Sequence, residues 1–240
     1  FIFIIQSEDL FMEKWFFICA SCFLGLSMSP SGFAQQGQKV TVSEILGERK
    51  ECYFDEDKPG ELPANFQVAL TGKGEPSRWI VKKIENAPSD DNVVVQTKLG
   101  AADYRFPLLI INGVSYKDFM VFTRFRSEGG SVEQSGGLVF KYKDNNNYYV
   151  LRASVLEGNV RLYKIVSGNQ TQIGEKNLKV NFKEWHLLKV ICKADKIQCF
   201  FNNKKVFEVS DETFDMGSVG LWTKSDAYTF FDDLVMQEMK

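Results

Sequence analysis

The sequence predicts an all-β fold, an antiparallel β-sandwich of the jelly-roll kind. From Arg78 onward, short runs rich in β-branched and aromatic residues alternate with turn signals, and no window between them has helical periodicity. The chain has 240 residues, 44% of them hydrophobic and 14% aromatic, including 21 Phe. That is enough apolar side chain to fill one large core, and all-β chains of this length commonly form one domain.

The strands expected are 78–84, 92–97, 105–111, 117–126, 136–142, 147–155, 160–166, 184–192, 196–202, 204–208, 217–222 and 228–237. Between them lie turn signals at Asn112-Gly113, Lys143 to Asn146, Glu157-Gly158, Ser167-Gly168, Ala194-Asp195 and Asn202-Asn203. Strands at this spacing without intervening helices argue for a sandwich or jelly roll.

Alternation sorts the middle hairpins into two faces. Leu138, Phe140, Tyr149, Leu151, Ala153, Val155, Val160, Leu162 and Val166 share one face, which must be the core. The other face carries Lys141, Tyr148, Arg152, Ser154, Arg161 and Tyr163. With Asp144-Asn145 and Glu157-Gly158 as turn centres, Lys141 opposes Tyr148, Gly137 opposes Arg152, Arg152 opposes Tyr163 and Ser154 opposes Arg161.

The N-terminus reads as an export signal. Met12, Glu13 and Lys14 precede an apolar run from Trp15 to Leu26, and Gly32-Phe33-Ala34 supplies small residues at a cleavage site. Residues 1–34 are therefore expected to be sequence upstream of a start at Met12 plus a signal peptide cleaved near Ala34, 35–53 a polar lead-in, and 54–240 the domain. The mature chain is expected in the periplasm or secreted. Its apolar runs fall short of the ~20 residues of a membrane span.

Composition and motifs exclude several function classes. The net charge is -2 and the basic residues are scattered, so no nucleic-acid footprint exists. Cys52, Cys192 and Cys199 remain after cleavage, with His186 the one histidine, which rules out a Cys/His metal site. Cys192 and Cys199 are expected as buried thiols on one hairpin face. The chain lacks a nucleophile elbow and a phosphate loop. No Glu has Asp two residues later, which removes the paired-carboxylate strand of laminarinase-like glycosidases. Asp55, Glu56, Asp57, Glu157, Asp211, Glu212, Asp232 and Asp233 read as solvated or turn-capping carboxylates, and His186 as structural. Asp144 to Asn147 offers oxygens of the kind calcium prefers, but the segment lacks the spaced acids of a calcium loop and reads as a turn. No cofactor is expected, with a divalent cation such as calcium as the alternative.

The strings GGLVFKYKDNNNYYVLR and LEGNVRLYKIVSG, followed by WHLLKV, GSVGLWT and FFDDLVM, resemble exported bacterial proteins of the concanavalin A-like lectin/glucanase superfamily. The likeness is to the laminin-G-like domains and the group known as domain of unknown function 1080, some of which are described as 3-keto-disaccharide hydrolases. It covers residues 54 to 237. Where that pattern has a basic residue after the Gly-Gly strand, usually Arg, this chain has Lys141, which keeps charge but loses bidentate geometry.

The first functional expectation is a non-catalytic carbohydrate-binding protein. Its glycan would meet Lys141, Tyr148, Arg152, Arg161 and Tyr163, with Trp222 adding a ring where its strand borders that face. The alternatives are a glycosidase of the 3-keto-disaccharide type, as the resemblance implies, and a structural module of the cell envelope.

Overall fold

The computed structural model describes Leu46–Lys240; the expected signal peptide, its cleavage point and the start of the lead-in lie outside the described residues. Among the described residues fifteen strands run in chain order: β1 (Leu46–Cys52), β2 (Phe66–Gly72), β3 (Trp79–Lys83), β4 (Asn92–Gln96), β5 (Arg105–Ile111), β6 (Phe119–Gly129), β7 (Ser135–Asp144) and β8 (Asn147–Ser154). They continue with β9 (Asn159–Val166), β10 (Asn169–Asn177), β11 (His186–Lys193), β12 (Lys196–Phe201), β13 (Lys204–Ser210), β14 (Ser218–Trp222) and β15 (Tyr228–Met239). The first sheet has the order β13-β12-β11-β6-β15-β4-β3, with β1 also on β15, and the second has the order β10-β9-β8-β7-β14-β5-β2. All pairings are antiparallel.

Twelve strands match the expectation and three do not. β1, β2 and β10 escape a search for apolar alternation because each buries few of its side chains. β10 reads NQTQIGEKN and is largely exposed, and β1 comes from the polar lead-in.

Between the sheets lies the main core. Leu138, Phe140, Tyr149, Leu151, Ala153, Val160 and Leu162 enter it from the second sheet, and Phe125, Leu188, Val190, Phe231 and Met236 from the first. Cys192 and Cys199 are buried there as free thiols, and burial pushes the Cys192 thiol up to about 12. Val166 is a correction: it is exposed, and its neighbour Ile165 is buried on the opposite face.

The second hairpin differs in register. Arg152 pairs with Arg161 and Ser154 with Asn159, because the connection opens earlier than a two-residue turn. Val155 N leaves the hairpin to donate to Gln134 O (2.8 Å), while Gly158 N donates to Ser154 O (3.1 Å). A shift of two residues preserves the faces. In the first hairpin, Gly137 pairs with Arg152 as expected and Val139 with Val150, but a bulge then intervenes and Asp144 pairs with Asn147. Lys141 stands at that bulge with φ 48° and does not oppose Tyr148.

The outer face of the second sheet is a second core. Phe106, Leu108, Ile110, Val139, Tyr148, Val150, Ile165 and Trp222 pack there, all buried. The sheet covers them by rolling up. β2 lies four strands from β8, about 19 Å away in a flat sheet, more than two side chains reach. Yet Thr71 Oγ1 is 2.8 Å from Tyr148 Oη. Thr71 also donates to Asn145 O, and Tyr104 Oη donates to Gly168 O in the β9–β10 turn.

The Gly-Gly pair of β7 makes close packing possible on both faces. A Cβ on Gly136 would stand 2.7 Å from the Phe125 ring in the main core, and one on Gly137 would stand 2.9 Å from Trp222. Gly137→Ala should therefore lower the unfolding free energy by about 1–3 kcal/mol through overpacking. In a Trp222→Phe background the same change should cost less, and the non-additivity in urea unfolding measures the contact; fully additive effects would show that Gly137 and Trp222 do not press together.

Candidate functional site

The residues expected to form one polar face divide between floor, bulge and rim. Tyr148 and Trp222 are fully buried in the outer core, where the Trp222 and Phe106 rings lie 5.4 Å apart. Burial pushes the Tyr148 phenol well above its usual range. Lys141 is buried at its bulge, close enough to the main core for its charge to act on the Cys192 thiol. The exposure expected of these three residues is thus corrected: the sheet rolls over Tyr148 and Trp222, and the bulge brings Lys141 close to the main core. Arg152 is buried as well, whereas Arg161 and Tyr163 are half-buried.

Arg152, Arg161 and Tyr163 do come together, at one end of the rolled face. Glu157 bridges the two guanidinium groups with its two carboxylate oxygens. Tyr163 Oη lies 3.4 Å from both Arg152 Nη1 and Arg161 Nη1, and Arg161 Nε donates to Glu175 Oε1 (2.8 Å). Deeper in, Glu133 is buried beside Arg152 Nη2 (3.8 Å) and Lys224 Nζ (3.7 Å) and accepts from Ser154 Oγ (3.0 Å). Lys224 also pairs with Asp103 (2.9 Å). Arg152 Nε is buried with no hydrogen-bond partner.

A clasp holds the loop that carries Glu133. Asp226 accepts from Ser131 N (2.7 Å), Ser131 Oγ (2.8 Å), Val132 N (3.1 Å) and Glu133 N (2.9 Å). The result is a rim of preorganised donors and acceptors around a buried carboxylate, a geometry able to pair with vicinal hydroxyl groups. Sequence reading missed Glu133 and Lys224. Extending the period of two upstream from Gly137 through Ser135 would have put Glu133 on the face of Arg152.

Other candidates take structural places. His186 packs between Phe125 and Phe201, its Nε2 3.1 Å from the backbone of Asn181 and its Nδ1 3.1 Å from Asn202 Nδ2. The Asp144 carboxylate caps its own turn through Asn146 N (2.8 Å) and Asn147 Nδ2 (3.0 Å). Among the described residues, no group of three or more His, Cys, Asp or Glu is placed to hold a metal ion.

Asp232 and Asp233 correct the expectation of solvated carboxylates. Both are buried at a bulge in β15, where Asp233 has φ 53° and lies 2.9 Å from Arg124 Nε. Asp232 accepts from Ser89 N (3.0 Å) and Ser89 Oγ (2.9 Å). Burial, reinforced by the Asp233 charge, raises the Asp232 carboxyl to about 7.

Comparison with known proteins places this geometry in context. The family model described as a 3-keto-alpha-glucoside-1,2-lyase-like domain matches residues 66–235. No curated protein matches the sequence significantly. Among solved structures, the chain is similar to the carbohydrate-binding module CBM66 from Bacillus subtilis, with 19% identity, 65% of this chain and 92% of that chain covered, and a TM-score of 0.54. It is also similar to domain 4 of AbnA, a GH43 extracellular arabinanase from Geobacillus stearothermophilus solved with arabinotriose, with 16% identity, 82% and 94% coverage and a TM-score of 0.56. The cellulose-induced protein Cip1 shares 11% identity, with 78% and 96% coverage and a TM-score of 0.57. At these identities the likeness shows the sandwich fold.

The buried Asp232 has a consequence for stability. An unperturbed aspartate titrates near 3.9, so between about pH 4 and 7 the folded chain holds a proton that the unfolded chain has released. Its contribution to stability is present at low pH and is lost as pH rises through that window. Asp232→Asn should remove this slope: the variant's unfolding free energy should gain on the wild type from pH 4 to 7, and parallel curves in denaturant titrations would contradict the assignment.

Proposed function

The chain belongs to the 3-keto-alpha-glucoside-1,2-lyase-like family, and on that premise we propose that it is an exported protein that recognises a glycan at the open end of its second sheet. Arg161 and Tyr163 meet the sugar, and Arg152 holds them from behind. The observation that carries this reading is the convergence of two guanidinium groups, a tyrosine and Glu157 on one half-exposed rim. Sugars present C–H faces and hydroxyls together, and such a rim offers an aromatic edge beside fixed hydrogen-bonding groups. Lys141, Tyr148 and Trp222 act from beneath, as parts of the packing that fixes the rim. Export is supported by the charged, apolar and small-residue order from Met12 to Ala34.

A glycan array with the purified chain tests the reading. Arg161→Ala and Tyr163→Ala should each weaken binding about tenfold, or ~1.4 kcal/mol, with unfolding midpoints near that of the wild type. Undiminished binding by both variants would remove this rim as the site. Arg152→Ala is the wrong probe, since it removes a buried guanidinium that both Glu133 and Glu157 face and should destabilise the fold itself.

One observation favours a second reading, elimination from a 3-keto-glycoside. Glu133 is a buried carboxylate with an ammonium and a guanidinium on either side. As a base it would take the C2 proton acidified by the C3 ketone, and the enolate charge would rest near Lys224 and Arg152. Collapse of the enolate forms the C1–C2 double bond, breaks the C1–O bond and leaves the departing oxygen to take a proton. Glu133→Gln should then abolish release of glucose from 3-keto-trehalose while glycan binding persists. Absence of turnover by the wild-type chain would remove the elimination reading and leave the binding one standing.

A further inference from the structure

The outer face of the first sheet lays three cations, Lys82, Arg126 and Lys189, over aromatic rings. Lys82 Nζ lies 5.5 Å from the Tyr228 ring and 5.2 Å from the Phe230 ring, and donates to Tyr228 Oη (3.0 Å). The Arg126 guanidinium lies 5.0 Å from the Trp185 ring and 5.4 Å from that of Phe230, with Glu128 as its carboxylate partner. Lys189 Nζ sits 4.8 Å over Phe200 and donates to Asn203 Oδ1 (3.2 Å). Neither Lys82 nor Lys189 forms an ion pair among the described residues. Burial lowers the affinity of the Lys189 amine for its proton, so a carboxylate arriving beside it would offset a desolvation cost already present.

Beside Lys189 the face opens into a cavity of about 220 Å³ lined by Arg124, Trp185, His186, Leu187, Asn202 and Asn203. Leu187 and Lys189 share a strand face, and Leu187 pairs across to Arg124. His186 and Asn202 are occupied by one another and by backbone groups. Arg124 pairs with Asp233 while its side chain stays a third exposed, and Asn203 uses Oδ1 on Lys189, which leaves its amide N–H groups to be offered.

We infer that this cavity binds a carboxylate-bearing sugar, a uronate residue of an acidic polysaccharide, with its carboxylate toward Arg124 and Lys189 and its ring against Trp185. Guanidinium and ammonium groups at one end and an indole at the other match the two halves of such a residue. The site lies on the opposite sheet from Arg161 and Tyr163 and does not rest on that reading.

Affinity electrophoresis in native gels containing polygalacturonate, with hydroxyethylcellulose gels as the neutral control, tests it. The wild type should be retarded by the acidic polymer alone. Lys189→Met keeps the apolar stem over Phe200 and should weaken retardation about three- to fivefold, as loss of one partly exposed charge pair does. Lys189→Arg should restore it, Trp185→Ala should weaken it, and Lys176→Met, on the exposed edge strand β10, should leave it unchanged. Unretarded migration of the wild type in polygalacturonate, equal retardation in both polymers, or wild-type behaviour of Lys189→Met would each overturn the inference.

Discussion

The rolling of the second sheet is the constraint on which the rest depends. A flat seven-stranded sheet would have left Phe106, Val139, Tyr148, Val150 and Trp222 in water, each forfeiting about 1.5–3 kcal/mol of burial. Curling the sheet until Thr71 meets Tyr148 encloses them instead. Inside the closure the phenol of Tyr148 and the hydroxyl of Thr71 hydrogen-bond to one another. Glycine is required at 137 for the same reason: the enclosed volume leaves no room for a side chain under Trp222.

Enclosure at the middle sorts the charged residues at the end. The apolar filling stops where Arg152, Ser154 and Glu133 begin, and beyond it charges can remain only if paired. Glu157 joins the two arginines, and Asp226 fixes the loop of Glu133 by taking three backbone N–H groups and the Ser131 hydroxyl. Such a network is expensive to break and therefore rigid, which is what a recognition surface for flexible polar ligands needs. The first sheet solves its outer face differently, by laying Lys82, Arg126 and Lys189 over rings. The two faces thus differ in chemistry, one joined by a network of ion pairs and the other carrying cations laid over aromatic rings.

Much of the fold was legible because alternation survives register errors. A two-residue turn at Glu157-Gly158 puts the hairpin two residues out of register, yet it leaves Leu151 and Leu162 on the core side and Arg152 and Arg161 on the other, as the structure has them. The bulge at Lys141 was not legible, since nothing in VFKYKD marks a positive φ at a lysine. Curvature was hidden as well: period two tells which residues share a face but not whether that face meets solvent, so Tyr148 and Trp222 looked like stacking platforms. The strands that close the roll are the polar-edged ones, β2 among them, which carry the weakest pattern. Asp232 shows the same limit, because its burial under Ser89 arises from contact between segments 143 residues apart.

Hydroxyl-radical footprinting of the folded chain, read by mass spectrometry, probes side-chain exposure at each of these rings. A second sheet rolled around a filled outer face requires oxidation at Tyr163 and Trp185 and protection of Tyr148 and Trp222 to the level of Phe140 in the main core. Oxidation of Tyr148 and Trp222 to the extent seen at Tyr163 would mean that the face is open and that the floor and rim described here are not distinct.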